Sequence, residues 1–353
     1  MVIEEPIVNR RPSYVIWEIT RACNLRCAHC AAGAGRRADG ELSTTEAEAV
    51  CEELAAIGTP SVCLMGGEVF LRRDWEAIAA RLRALGLNVG IITNGWLLDD
   101  GIARRLEALG VCQVGISLDA ARPEVHDAIR GVQGAHGRAL EGIRTVQKLP
   151  FLSYRTVITS VHKGNLGELE GIRDLLVEEA PGFDWMVNTS SPHAEMRMPR
   201  EACLEEEGFL RLARFIAGSR PAIRDRLRLS ATHDLGYFSR RLPDLHDFQW
   251  RGCPAGIETL GITAEGNVKG CLILSDRFIE GNVRAHPLGG LWRDPARFAY
   301  NRSFQVDWLT GKCRGCPHGP VCRGGCRDHA ESFTGSPFEA PFCLYRLEEE
   351  EGA

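Results

Sequence analysis

The 353-residue chain carries no excess of positive charge: 42 Lys and Arg stand against 47 Asp and Glu, a formal net charge of −5. Proteins that hold nucleic acid by its phosphates concentrate basic residues, so that class of function is excluded. No apolar run reaches the ~20 residues that span a bilayer, which argues against a membrane protein. The opening MVIEEPIVNRRPSYVIWE has neither an apolar core nor a small-residue cleavage site, so no secretory signal is read there. Repeats of solenoid period and low-complexity stretches are also lacking. These absences predict a cytoplasmic protein. Its 44% hydrophobic and 25% charged residues are ordinary for a globular chain, and its length suits one large domain with a smaller one.

What the chain has in quantity is cysteine. There are fourteen, three of them within residues 23–30 and five within 313–343. In a reducing compartment clustered thiols bind metal more often than they form disulfides. Thiolates are soft ligands that select zinc or iron–sulfur clusters.

The first half has a regular rhythm. Strands are predicted over 14–20, 61–65, 87–93, 112–118, 153–160 and 184–188, with helices near 44–57, 73–85, 99–109, 137–148 and 166–180. Ser43 followed by Glu46 has the form of a capping box, and Gly58, Gly86 and Gly110 stand where helices should end. Alternating strands and helices give an α/β fold with a parallel sheet, either open and doubly wound or a partial (β/α)6 barrel of the TIM type. In both, chemistry belongs at the C-terminal ends of the strands. Cys23 follows the first strand, Gly66-Gly67-Glu68 the second, Asn94-Gly95 the third and Asp119 the fourth.

Beyond the barrel the character changes. Residues 1–12 form an N-terminal extension, 13–200 the partial barrel, and 201–252 a helical bridging segment with helices over 204–217 and 222–229. Residues 253–346, rich in Gly, Pro and Cys, read as a small α+β domain held by metal rather than by a large apolar core. Residues 347–353 read as a solvated acidic tail.

The segment Cys23-Asn-Leu-Arg-Cys27-Ala-His-Cys30 spaces its cysteines CxxxCxxC on a loop leaving a strand. With the motifs that follow it, this resembles the signature of the radical S-adenosylmethionine (SAM) superfamily. The resemblance implies a [4Fe–4S] cluster held by three thiolates, whose open iron is chelated by SAM, and a 5′-deoxyadenosyl radical that takes hydrogen from substrate. The alternative for these cysteines is zinc, for which Cys-x-x-Cys is also a pattern. His29 would pack beside the cluster. Gly66, Gly67 and Glu68 resemble the family's GGE motif, where the glycines admit the methionine amino group and Glu68 faces its charge. Ser117 and Asp119 resemble the segment that contacts the SAM ribose and carboxylate. Arg130, in His126-Asp127-Ala-Ile-Arg130-Gly131, would pair with the methionine carboxylate, its alternative being a surface ion pair with Asp127 or Glu124. Thr93, Asn94 and Thr159 line the same sheet edge.

The second group comprises Cys253, Cys271, Cys313, Cys316, Cys322, Cys326 and Cys343. It resembles the seven-cysteine SPASM extension of radical SAM enzymes, which implies two auxiliary [4Fe–4S] clusters, three clusters in all. By that resemblance Cys313, Cys316, Cys322 and Cys343 hold the distal cluster. Cys253, Cys271 and Cys326 hold the proximal one, with one iron open or served by a ligand from elsewhere. A structural zinc module is the alternative. Cys51, Cys63 and Cys112 read as buried packing, and Cys203 as a plain helix residue. Leu272 follows Cys271 where sulfatase-maturing relatives carry an aspartate, which argues against that activity.

The expected reaction is oxidation or cross-linking of side chains in a ribosomal precursor peptide, or radical dehydrogenation or rearrangement of a small molecule such as a sugar or amino-acid derivative. The expected partners are that substrate, a reductant such as flavodoxin or ferredoxin, and a separate peptide-recognition protein. A non-catalytic electron carrier is disfavoured, because it needs no SAM-binding residues.

Overall fold

The computed structural model describes residues 11–352, except 233–234, 236, 244 and 246–248. All but the last two residues of the expected N-terminal extension lie outside the described residues.

Seven parallel strands run through the first two thirds of the chain: β1 (Tyr14–Thr20), β2 (Ser61–Gly66), β3 (Asn88–Thr93), β4 (Gln113–Ser117), β5 (Tyr154–Val161), β6 (Asp184–Thr189) and β7 (Arg228–Ala231). They lie in sequence order with no reversal. A doubly wound sheet would switch direction partway and place helices on both faces. Right-handed crossovers that all step the same way put every helix on one face. The sheet is therefore a partial barrel, and its convex side carries α1 (Thr44–Ala56), α2 (Trp75–Ala84), α3 (Asp100–Ala108), α5 (Ala135–Gln147), α6 (Leu169–Glu179) and α7 (Glu206–Ile223), while α4 (Pro123–Arg130) packs on α5 and ends against the loop after β1.

The period-2 alternation of each strand sorts its side chains. Val15, Trp17 and Ile19 of β1, with Val62 and Leu64 of β2 and Val114 and Ile116 of β4, are buried in the main core with Leu54, Ile78, Leu106 and Ile143 of the helices. The alternate positions, Glu18, Met65, Ile92, Ser117, Ser160 and Asn188, fall on the concave side. Ser43 and Glu46 make the reciprocal capping box that opens α1.

Three elements differ from expectation. The run 222–229 is not a helix: α7 ends at Ile223, two residues after Pro221, and the chain turns into β7. Helix α4 was not anticipated, although Pro123 at its first turn and Gly131 at its C-cap are ordinary helix boundaries. The acidic C-terminus is helical, and its Glu348 accepts hydrogen bonds from the Arg240 and Arg241 amides and from the Ser239 hydroxyl.

The cysteine-rich segment joins the same sheet. Strand β8 (Thr259–Ile262) pairs in parallel with the free edge of β1, and β9 (Asn267–Lys269) and β10 (Gly281–Asn282) continue antiparallel, giving ten strands in all. Short helices follow: α8 (Leu288–Arg293), α9 (Ala299–Arg302), α10 (Gly319–Cys322), α11 (Arg327–Thr334) and α12 (Leu344–Gly352). A second apolar cluster gathers Tyr237, Trp250, Leu274 and Phe278 around Cys253, Cys322 and Ala340. Among the described residues no helix is long and apolar enough to cross a membrane.

Candidate active site

Cys23, Cys27 and Cys30 lie on the loop that leaves β1, over the C-terminal edge of the sheet. The loop is fixed from two sides. Glu41, buried, accepts from the Thr20 hydroxyl and the Arg21 and Ala38 amides, which clamps the exit of β1. On the other side, the Arg26 and Ala28 amides donate to the carbonyls of Arg130 and Ile129 at the end of α4, at 3.0 and 2.7 Å. Gly131 must be glycine on two counts: its φ is +71°, and a Cβ there would sit 2.6 Å from the Arg26 carbonyl oxygen.

Each of the three sulfurs accepts a hydrogen bond. Cys23 Sγ receives the Leu25 amide at 3.4 Å and the Asn94 side-chain amide at 3.8 Å. Cys27 Sγ receives Arg130 Nη1 at 3.6 Å, and Cys30 Sγ the Ala34 amide at 3.4 Å. Donors to sulfur stabilise a thiolate or the cluster it ligates. Without such a ligated metal, burial pushes the Cys23 thiol up to about 11 and raises that of Cys27.

The cysteines line a cleft of about 590 Å³, open to solvent on one side, with Met65, Gly66, Gly67, Ile92, Thr93, Asn94, Ser117 and Arg130. Gly66, Gly67, Ser117 and Arg130 thus stand where SAM was expected. The glycines, however, are required by the protein's own backbone. A Cβ on Gly66 would collide with the Thr20 carbonyl oxygen and one on Gly67 with that of Ala22. The Gly67 and Glu68 amides bond to those same carbonyls at 2.7 and 2.8 Å.

Glu68 and Asp119 do not line the cleft. The Glu68 carboxylate is fully buried and engaged by the Thr93 hydroxyl, the Asn94 amide and the Phe70 amide, at 2.9 to 3.2 Å. It ties the end of β2 to that of β3, and in this arrangement its oxygens are turned to the protein rather than to a ligand amine. Asp119, also fully buried, sits behind Arg130, with Oδ2 2.7 Å from Nη2 and 3.6 Å from His29 Nε2. Burial pushes its carboxyl upward, but Arg130 and His29 outweigh this and hold it below the usual carboxylate range. Arg130 therefore makes neither surface pair expected for it. Asp127 instead accepts from the Gly134 and His136 amides, and Glu124 faces Arg122. Arg130 Nε is buried with no partner in the protein. That free donor at the cleft wall is the observation that fits an anionic group such as the SAM carboxylate.

His29 lines the cleft, and burial lowers its ring to about 4, so it is neutral. Thr159 is turned away, donating to the Leu118 carbonyl at 2.6 Å and accepting from Trp185.

Cys313, Cys316, Cys322 and Cys343 together line a pocket of about 350 Å³ with Phe238, His318 and Tyr345. The Ala340 amide donates to Cys313 Sγ at 3.3 Å, and burial pushes the Cys322 thiol up to about 12. Cys253, Cys271 and Cys326 belong to the second apolar cluster, which also takes in Cys313 and Cys322, and the Cys326 amide donates to the Tyr237 hydroxyl at 2.7 Å. Among the described residues no three Cys, His, Asp or Glu side chains converge as a single metal ion requires.

Sequence reasoning missed Glu41, the Asp119–Arg130 pair and Tyr300. None belongs to a spacing pattern; each follows from partners brought together by folding.

A profile of the radical SAM superfamily matches residues 17–176, and one of an iron–sulfur cluster-binding domain, SPASM, matches residues 253–317. The AdoMet-dependent heme synthase of Methanosarcina barkeri is 32% identical over 95% of this chain and 97% of its own length. The mycofactocin maturase of Mycobacterium ulcerans is 31% identical over 94% of this chain and 86% of its own. SuiB of Streptococcus suis bound to its precursor peptide SuiA superposes with a TM-score of 0.74 at 17% identity, covering 93% of this chain and 74% of that one, a likeness of fold.

Proposed function

The chain belongs to the radical SAM superfamily and is an enzyme; from that premise we propose that it oxidises or cross-links a side chain of a precursor peptide, with SAM and three iron–sulfur clusters. The observation that carries the chemistry is the cleft wall, which brings three hydrogen-bonded thiols together with Arg130, a buried arginine whose Nε has no partner in the protein. When bound, the cluster and SAM supply an electron and a 5′-deoxyadenosyl radical that abstracts hydrogen.

The protein's own residues do the positioning. Cys23, Cys27 and Cys30 ligate, and the α4 carbonyls hold their loop in place. Arg130 orients the SAM carboxylate, with Asp119 fixing the guanidinium from behind. His29 lines the cleft beside the cysteines. Cys313, Cys316, Cys322 and Cys343 would hold one auxiliary cluster, and Cys253, Cys271 and Cys326 the other, and such clusters would supply redox capacity beside the cleft. The reductant would be a low-potential carrier such as flavodoxin or ferredoxin.

The peptide reading is supported by the likeness to the mycofactocin maturase. The cleft opens to solvent, which admits the end of a chain as well as a small molecule. A second reading, a tetrapyrrole substrate entering by one substituent, is favoured by the likeness to the heme synthase. The test is anaerobic incubation with SAM and dithionite, followed by mass spectrometry. A precursor peptide encoded beside the gene that loses hydrogen while 5′-deoxyadenosine accumulates supports the first reading. Turnover of Fe-coproporphyrin III with the peptide unchanged replaces it with the second. No 5′-deoxyadenosine under any condition overturns both.

A further inference from the structure

Arg327 follows the last cysteine of the 313–326 run and opens α11. Its side chain is completely buried, among the largest in the protein with no exposure. Among the described residues no Asp or Glu pairs with it, whereas the other buried arginines at the cluster loop, Arg130 and Arg72, lie against Asp119 and Asp74. Its contacts are neutral. Nη1 donates to the carbonyls of Arg323 and Pro337, at 2.5 and 2.9 Å, and Nη2 to that of Tyr300 at 3.4 Å. Phe338 and Phe304 face the guanidinium at 4.7 and 5.6 Å. Nε has no partner at all.

A guanidinium sealed into an apolar cluster without a counter-charge is expensive, and carbonyl dipoles and aromatic faces offset only part of the cost. As thiolates, Cys253 and Cys326 of one set and Cys322 of the other would favour its charge, against the opposing charge of Arg323. Tyr300, whose carbonyl it grips, packs with Cys253 and Cys271 on one side, and Arg323, whose carbonyl it also grips, directly follows Cys322. Arg327 thus stands where the two cysteine sets meet.

We propose that Arg327 is the shared counter-charge of the two auxiliary clusters, setting the reduction potential of both and coupling closure of this part of the fold to their assembly. The inference rests on the assignment of those seven cysteines to clusters. Two thiolate-bound clusters are net anions, and they supply what the arginine lacks. A fixed positive charge favours the reduced, more negative state of each cluster, so it raises both potentials. Reduction of one cluster adds charge that the same guanidinium must balance, so the two centres sense each other through it.

The test is redox titration of the reconstituted full-length enzyme followed by electron paramagnetic resonance, comparing wild type with R327Q and R327K. Both auxiliary midpoints fall in R327Q and stay near wild type in R327K, while the midpoint of the cluster at Cys23, Cys27 and Cys30 is unmoved. Iron and sulfide contents of each variant verify loading. If R327Q fails to load, thermal unfolding of the metal-free proteins decides. The inference requires metal-free R327Q to be more stable than metal-free wild type, since the unpaired charge is gone; equal or lower stability overturns it. Full loading with unmoved auxiliary potentials overturns the inference alone. Wild type with no auxiliary signal overturns the cluster assignment itself.

Discussion

Asp119 Oδ2 lies 2.7 Å from Arg130 Nη2, with Arg130 in the wall of the cleft and Asp119 buried behind it. This pair converts the end of one strand and the end of a helix into a single rigid support. From the same guanidinium, Nη1 reaches Cys27 Sγ. The carboxylate therefore governs where the arginine points, and the arginine governs the loop.

Asp119→Asn should cost about 3 kcal/mol of unfolding free energy, because it leaves a buried guanidinium without its counter-charge. SAM affinity should fall as well, since Arg130 is no longer held. Denaturant unfolding and calorimetric titration with SAM check the two effects separately. Retention of wild-type stability would show that the pair is not a support.

Replacing Cys23, Cys27 and Cys30 together by Ala should lower iron from about twelve to about eight atoms per chain and abolish 5′-deoxyadenosine formation. Iron and acid-labile sulfide analysis of anaerobically reconstituted protein measures this. About four iron with zinc in the wild type would instead make the C-terminal cysteines a structural zinc module.

Gly67→Ala should weaken the first site without altering the others. Its new methyl group collides with the Ala22 carbonyl on the very loop that carries Cys23. Overpacking of this kind costs about 1–3 kcal/mol. Iron loss confined to the first cluster, read by electron paramagnetic resonance, is the expected outcome, and an unchanged spectrum would contradict it.

Glu18 gives a pH dependence of defined sign. Its carboxylate sits on the concave side of β1, and burial pushes it up from 4.5 to about 7 against the pull of Arg21. The folded state therefore binds this proton more tightly than the unfolded chain does. Its contribution to stability falls as pH rises from about 4.5 to 7 and is constant above. Glu18→Gln should gain about 3 kcal/mol over wild type above pH 7 and nothing below pH 4.5. Parallel denaturation curves across that range check it; a constant difference would contradict it.

Much of this was legible in the sequence because it repeats a local rule. The strands β1 to β6 are short β-rich runs between helical stretches, and their limits were read to within about two residues. The cysteine spacings marked the two stretches that the radical SAM and SPASM profiles match. What escaped was set by distant partners. Strand β7 has only four residues, too few to show a period, and takes its identity from pairing with β6. The glycines at 66 and 67 were assigned to a ligand, yet the nearest obstacle to a side chain is the backbone of β1. Glu68 was read as facing a ligand, and it proves to be satisfied within the protein. Arg327 carries no motif of its own, and only its burial without an acid singles it out.

The edge pairing of β1 with β8 joins positions about 245 residues apart in the chain. During synthesis the first strand emerges early, but its outer edge has no partner until residues beyond 259 have left the ribosome. For most of that interval the nascent barrel presents an unpaired parallel edge, the kind of surface that recruits other chains. Contacts of such separation also slow folding. Translation stopped short of β8 should thus yield an aggregating fragment rather than a smaller enzyme.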